Sequence, residues 1–300
     1  MNTTADHAFG AITGTSSADR PAGATSSADR PAGASTAGAT IGTSSADRPA
    51  GATIDEICVV ACAEAFRGDG EILCNPIGTV PIVGGRLARA TFEPDLVYTD
   101  TVSVLVANDY PVGDPAAPRV VESWVPYRTV FDIVWSGKRH VMMGASQIDQ
   151  WGNQNIAAIG DFRRPKAQLL GLRGAPGNLV NHTTSYWVPN HSPRSFVASV
   201  DVVSGPGYDR MRELGAPGNR FHEVRRVVSN LGVFDFDTGD HRMRIVSVHP
   251  GVTVDQVVEA TTFELAGIAE VPETRLPTAE ELRLIREVLD PTGARKAEFG

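Results

Sequence analysis

Four polar side chains, Gln147, Asp149, Asn153 and Asn155, crowd one tight bend within the stretch GASQIDQWGNQN. Their amides and carboxylate could hold the polar groups of a ligand. The bend separates two apolar runs, His140 to Ala145 and Ile156 to Ile159, and Trp151-Gly152-Asn153 supplies the turn signal. Strand, polar turn, strand and glycine-rich loop in that order are the layout of a ligand-facing edge in an α/β protein. After Leu169-Leu170, Gly171, Gly174 and Gly177 punctuate such a loop, so that a ligand could approach the backbone near Ala175 and Asn178. A competing reading is purely structural, because Asx and Gly tolerate positive φ and hydrogen-bond their own backbone at turns. GLRGAPGN does not fit G-x-G-x-x-G and no Walker lysine follows it, so a nucleotide fingerprint is absent.

A second group lies in NHTTSYWVPNHSPRSF, where His182, Tyr186, Trp187, His191 and Arg194 stand close together. Histidines beside an aromatic couple could bind a ring, and Arg194 could hold a carboxylate bidentately. The alternative is a hairpin of exposed polar residues with Trp187 packed on the sheet. The histidines lack the H-x3-H or H-E-x-x-H spacing of a metal site. The 3 cysteines, Cys58, Cys62 and Cys74, have no nearby histidine to complete a metal set and read as buried apolar residues of an intracellular chain.

These groups need elements to position them. Apolar residues at helical spacing predict an amphipathic helix from Ile54 to Arg67, with Asp55-Glu56 in its first turn. A strand over Glu71 to Cys74, a loop through Gly78 and a helix from Ile82 to Ala90 form an α/β unit whose helix N-terminus could face an anion. Leu96-Val97-Tyr98 reads as the next strand, and Tyr127 to Trp135 as a helix capped by Gly137. Phe196 to Val203 reads as a strand or short helix. Arg225 to Asn230 and Leu231 to Phe236 read as a strand pair, and Ile245 to His249 as a further strand, with His249 a structural histidine. Thr253-x-x-Gln256 is a capping box that opens a helix to Thr261, and a last helix runs from Thr278 to Leu289.

The 300 residues, 42% of them hydrophobic, can bury a substantial core. A net charge of −8 offers no basic face to a nucleic acid, and no apolar run reaches the length of a membrane span. Residues 1–53 form a separate low-complexity stretch in which SSADRPAGA recurs at Ser16, Ser26 and Ser44. Hardly any large apolar side chain is present there, so disorder is expected, with the globular domain over 54–300. No apolar signal core follows Met1, and a cytoplasmic address is expected.

GASQIDQWGNQN, SGPGYDR at Ser204, NLGVFDFD at Asn230 and VHPGVTVDQVVEATTFEL at Val248 occur in an order that resembles the β subunit of family I CoA-transferases. The likeness runs from about Ile54 to about Leu265, with the glutaconate CoA-transferase β chain as the obvious transferase relative. Within that family the chain looks most like the β subunit of actinobacterial ring-cleaving CoA-ester hydrolases of cholesterol and steroid breakdown. The resemblance implies an α/β fold, a mostly parallel sheet flanked by helices of the CoA-transferase family I (NagB/RpiA-like) type. It also implies a site shared with a different α subunit in an α2β2 assembly, and an acyl-CoA substrate. Coenzyme A would enter as part of the substrate thioester, with no permanently bound cofactor.

Transferase relatives carry a glutamate at the end of the Leu96–Tyr98 strand, and that carboxylate attacks the acyl-CoA. The position that aligns with it here is Thr99, and the neighbouring Asp100 is one methylene shorter and one residue displaced. On this reading no catalytic residue is assigned to this chain with certainty. Thr99, Asp100, Gln147, Asp149, Asn153, Gly174, Ala175, Gly177 and Asn178 are its candidate substrate- or CoA-binding residues. Ring hydrolysis needs no covalent carrier, only a base, implied to be a glutamate of the α subunit, and donors for the oxyanion and enolate. A true CoA-transferase using Asp100 is the alternative, and a non-catalytic scaffold subunit is a third reading.

Overall fold

Strands buried on both faces need helices or loops on either side, and the chain builds its sheet that way. A computed structural model of the protein describes residues 51–99, 104–135, 138–169, 171–172 and 174–299, which belong to one compact unit. The expectation of disorder over 1–53 falls almost entirely outside these residues. In chain order the elements are α1 (Ile54–Glu64), β1 (Leu73–Pro76), α2 (Thr79–Thr91), β2 (Val97–Tyr98), β3 (Val104–Val106), β4 (Val121–Trp124) and α3 (Tyr127–Ile133). β5 (Arg139–Gly144), β6 (Gln147–Ile148), β7 (Gln154–Asn155), β8 (Ala158–Ile159), β9 (Ala167–Gln168), α4 (Ala175–Asn181) and β10 (Thr183–Val188) follow. The remainder comprises α5 (Tyr208–Leu214), β11 (Glu223–Ser229), β12 (Gly232–Asp235), β13 (Arg244–Val248), α6 (Val254–Glu259) and α7 (Ala279–Arg283). A π-helical turn, Leu284–Leu289, and a 3-10 segment, Ala294–Phe299, complete the chain.

The main sheet has 7 strands in the order β13-β12-β11-β10-β5-β1-β2. β2, β1, β5, β10 and β11 are mutually parallel, and β12 and β13 close one edge antiparallel. Alternation along the strands divides the interior into two cores. Met142, Trp187, Val228 and Val233 point to the face covered by α1, α2 and the C-terminal helices, whereas Val141, Met143, Tyr186, Val227 and Phe234 point to the face where Leu179 of α4 packs. The two crossovers on either side of β1 and β5 thus run on opposite faces. Open α/β sheets bind ligands outside the carboxyl ends of the strands at a switch point of this kind.

α1 is not amphipathic as expected. Cys58, Val59, Val60, Cys62 and Ala63 have 0% exposure, and the helix is buried all round between the sheet and α2. Gly84 permits that approach, because a Cβ there would stand 2.8 Å from Cys62 Cβ and 2.9 Å from the Val59 carbonyl. The acids in its first turn are buried too, and the C-terminal segment neutralises them: Arg295 lies 2.7 Å from Asp55 and Arg286 lies 2.6 Å from Glu56. The Thr253–Gln256 capping box opens α6, and the three cysteines are buried free thiols. Phe196 to Val203 forms neither strand nor helix, α5 follows it without having been foreseen, and the Gly137 cap lies outside the described residues.

Candidate functional site

The bend singled out in the sequence is the β6–β7 hairpin, and its polar groups are spent on one another. Asp149 Oδ1 accepts from the Trp151 and Asn153 main-chain N–H groups at 3.0 and 3.1 Å, and both carboxylate oxygens accept from Asn153 Nδ2. Asn153 also donates to Asp209 at 2.9 Å and accepts from the Gly207 N–H at 2.7 Å. Gln147 accepts from Asn155 Nδ2 at 2.7 Å and from the Asp201 N–H at 3.0 Å, and donates to the Asp201 carboxylate at 3.1 Å. Burial pushes the Asp149 carboxyl up to about 6, while the bonds from Asn153 and the main chain pull the other way. Gln147, Asp149 and Asn153 thereby tie the hairpin to the segment through Asp201 and Gly207.

On the same sheet face, at the start of β5, Arg139 is 6% exposed and has no carboxylate partner among the described residues. Its guanidinium donates to Oδ1 of Asn178 at 3.1 Å and to Oδ1 of Asn75, while its Nε is unpaired. Burial lowers its pKa to about 10. His182, 1% exposed, has no well-formed hydrogen bond at either ring nitrogen among the described residues, and burial together with the charge of Arg139 lowers it to about 4, against a weak pull the other way from the Val134 main chain. Gly174, Ala175, Gly177 and Asn178 lie not on a loop, as expected, but at the N-cap and in the first turns of α4, which Pro176 starts. Gly177 is required there, because a Cβ would stand 2.6 Å from Val134 Cγ1.

Thr99 lies one step past the Cys74–Tyr98 pair, so it stands level with Asn75 on the neighbouring strand, roughly 5 Å away laterally. Tyr98 turns under α2, where its hydroxyl donates to the Ile82 carbonyl at 2.9 Å, so alternation turns Thr99 to the face that carries Asn75 and Arg139. Thr99 also forms an antiparallel bridge with Leu105. Asp100 lies outside the described residues. The α2 N-terminus, expected to face an anion, holds a carboxylate of this chain instead: Glu298 accepts from the Thr79 N–H at 2.5 Å and from Trp187 Nε1 at 2.6 Å.

The aromatic–histidine group is dispersed rather than assembled. His182 caps α4 and the others belong to the central strand β10 and the turn after it, not to an exposed hairpin, so Tyr186 and Trp187 face opposite cores. His191 stacks on Phe196 at 3.5 Å and bonds to Ser229 and Thr261, while Arg194 is exposed. A cluster that the sequence did not reveal lies on the α1 face: Asp69 is 2.6 Å from His140 Nδ1, and His140 Nε2 is 2.9 Å from Ser185 Oγ. The order is that of a hydrolytic triad, but His140 and Ser185 are wholly buried and Arg225 also holds Asp69 at 2.5 Å. It acts as a structural tie. Among the described residues no group of acids, histidines and cysteines is placed to hold a metal ion, and no helix is long and apolar enough to cross a membrane.

The profile of the family described as Coenzyme A transferase matches residues 112–260. The chain is 54% identical over 243 residues to the cholesterol ring-cleaving hydrolase IpdB subunit of Rhodococcus jostii RHA1, covering 81% of this chain and 94% of that protein. This chain belongs to the coenzyme A transferase family. Its fold matches the crystal structure of Rhodococcus jostii RHA1 IpdAB with a TM-score of 0.79 at 53% identity, over 83% of this chain and 99% of that one. It matches glutaconate coenzyme A-transferase of Acidaminococcus fermentans with a TM-score of 0.69 at 26% identity, over 81% and 96% of the two chains. The α/β architecture with a mostly parallel sheet is therefore that of the family.

Proposed function

We propose that this chain is the β-type subunit of a heteromeric CoA-ester hydrolase that opens a steroid-derived ring by carbon–carbon bond hydrolysis in cholesterol breakdown. The observation that carries the reading is the 54% identity with a cholesterol ring-cleaving hydrolase subunit along 94% of its length. Thr99 agrees with it, since hydrolysis beside a carbonyl needs water, a base and oxyanion donors rather than a covalent carrier. The base is assigned to the α-type partner, and the substrate brings its own coenzyme A.

Gln147, Asp149 and Asn153 serve the site by fixing the hairpin that borders it, and Gly174, Ala175, Gly177 and Asn178 line it from α4. An exposed apolar strip supports the partner. Val120, Val121 and Trp124 at β4 and Trp135 after α3 are 54–74% exposed, a patch of the kind that protein interfaces cover. Two copies of each subunit in the cytoplasm complete the proposal, and buried free cysteines suit that compartment.

The test is to co-produce the chain with its α-type partner and supply a steroid-derived CoA ester in heavy-oxygen water. The expected product is a ring-opened CoA ester with heavy oxygen in its new carboxylate. Exchange of CoA onto a free acid, with the ring intact, would establish the transferase reading instead, the one that the glutaconate CoA-transferase likeness favours.

A further inference from the structure

Arg139 presents a buried cation whose only hydrogen-bond partners among the described residues are two neutral carboxamides. Buried charges are ordinarily paired, and leaving one half-satisfied is costly, so such a group calls for an explanation. A guanidinium can only donate. The oxygens of Asn75 and Asn178 must therefore both face Arg139, which turns both Nδ2 amines away from it. Neither amine donates to another described residue. Gly174 stands beside the Asn178 amine, where a Cβ would lie 3.8 Å from it, in ordinary contact. Asn75 stands beside Thr99, and Asn178 lies in the helix that borders the same sheet face.

We infer that Asn75 and Asn178 are a pair of donors for the substrate carbonyl oxygen that takes up charge during the reaction, and that Arg139 is the positioning residue that fixes their orientation. The inference rests on the hydrolase reading and deepens it. In that reaction the oxygen of water bonds to the ring carbonyl carbon, its proton passes to the partner's base, and the carbonyl π pair moves onto oxygen. When that oxyanion reforms the carbonyl, the ring carbon–carbon bond breaks and its electron pair becomes an enolate, which takes a proton back from the base. Two fixed amide donors steady the oxygen at either stage, and the charge on Arg139 polarises both amides toward it.

Asn75→Asp and Asn178→Asp discriminate this role from a merely structural one, because each keeps the oxygen that Arg139 binds and deletes only the outward amine. In the complex with the α-type subunit, each is expected to melt at or above the wild-type temperature, as Arg139 gains a counter-ion. Each is also expected to lose about 100-fold in kcat with KM changed far less. Arg139→Lys should recover more activity than Arg139→Met. Folded Asp variants with kcat within threefold of wild type would overturn the inference. If the wild-type complex exchanges CoA instead of opening a ring, the hydrolase reading fails by itself. The same two variants are then scored on exchange, whose tetrahedral intermediates need the same donors.

Discussion

Two polar clusters are buried on one side of the same sheet, and they differ in whether their hydrogen bonds close. Around Asp149 and Asn153 the side chains of Gln147, Asp149, Asn153 and Asn155 meet partners from the hairpin itself or from the segment through Asp209, and among the described residues Gln154 Oε1 alone of the hairpin's buried side-chain atoms is left unpaired. Around Arg139, among the described residues, a cation lacks an anion, an imidazole lacks a well-formed bond, and two amides point away from the group that holds them. Stability explains the first arrangement, because satisfied buried networks rigidify a fold. It does not explain the second, which costs free energy that only a ligand or a reaction can justify. The sequence drew the eye to the closed cluster, and the open one carries the proposed chemistry.

The comparison breaks most forcefully if the closed cluster tolerates intrusion. Gly207→Ala would set a Cβ 2.5 Å from the Asn153 amide nitrogen and against the Trp151 carbonyl, both fixed main chain, and is expected to cost about 3 kcal/mol or more. A urea melt that matches wild type would remove the rigid-hairpin account. Asp149→Ala strands the donors of Trp151 and Asn153 and should cost about 2–3 kcal/mol in the same assay.

Asp149 also predicts a pH dependence with a definite sign. Its folded pKa is raised from 3.8 to about 6, so the folded state binds the proton more tightly than the unfolded chain does. Stability should therefore fall as pH rises through that window, by on the order of 2–3 kcal/mol, and be regained below it. Melting the protein between those pH values against Asp149→Asn, which cannot titrate, isolates the contribution; parallel curves would contradict it. Smallest of all is the expected stability change for Arg139→Met, within about 1 kcal/mol of wild type or in favour of the variant, since it removes an unmatched buried charge. A loss as large as that of Asp149→Ala would mean that both clusters are scaffold.

Why the sequence exposed one cluster and hid the other follows from where the partners come from. Asx and Gly within a few residues announce a bend, and the hairpin formed where expected. Its closure depends on Gly207 and Asp209, which lie 54 and 56 residues beyond Asn153, and no local pattern reports that. Arg139 stands one residue before the strand expected from His140, where a charge reads as a solvated strand end. In the fold it is buried and meets Asn178 of α4 and Asn75 of β1. Asn75 fell in what read as a loop after Cys74, because Pro76 breaks the pattern; the strand in fact runs through both. α1 was placed correctly but misjudged as amphipathic, since its small residues conceal that a second helix lies across it. The family motifs were legible because they are contiguous, and the fold they implied is the one found.

On the proposed function this chain lines and orients the site without carrying the acyl group. The most direct measurement is the intact mass of this chain, taken by rapid quench while its complex with the α-type subunit turns over a CoA ester. The account predicts an unmodified chain at every time point while the ring-opened CoA ester accumulates. A chain carrying coenzyme A as a thioester, at Asp100 or anywhere else, would contradict it.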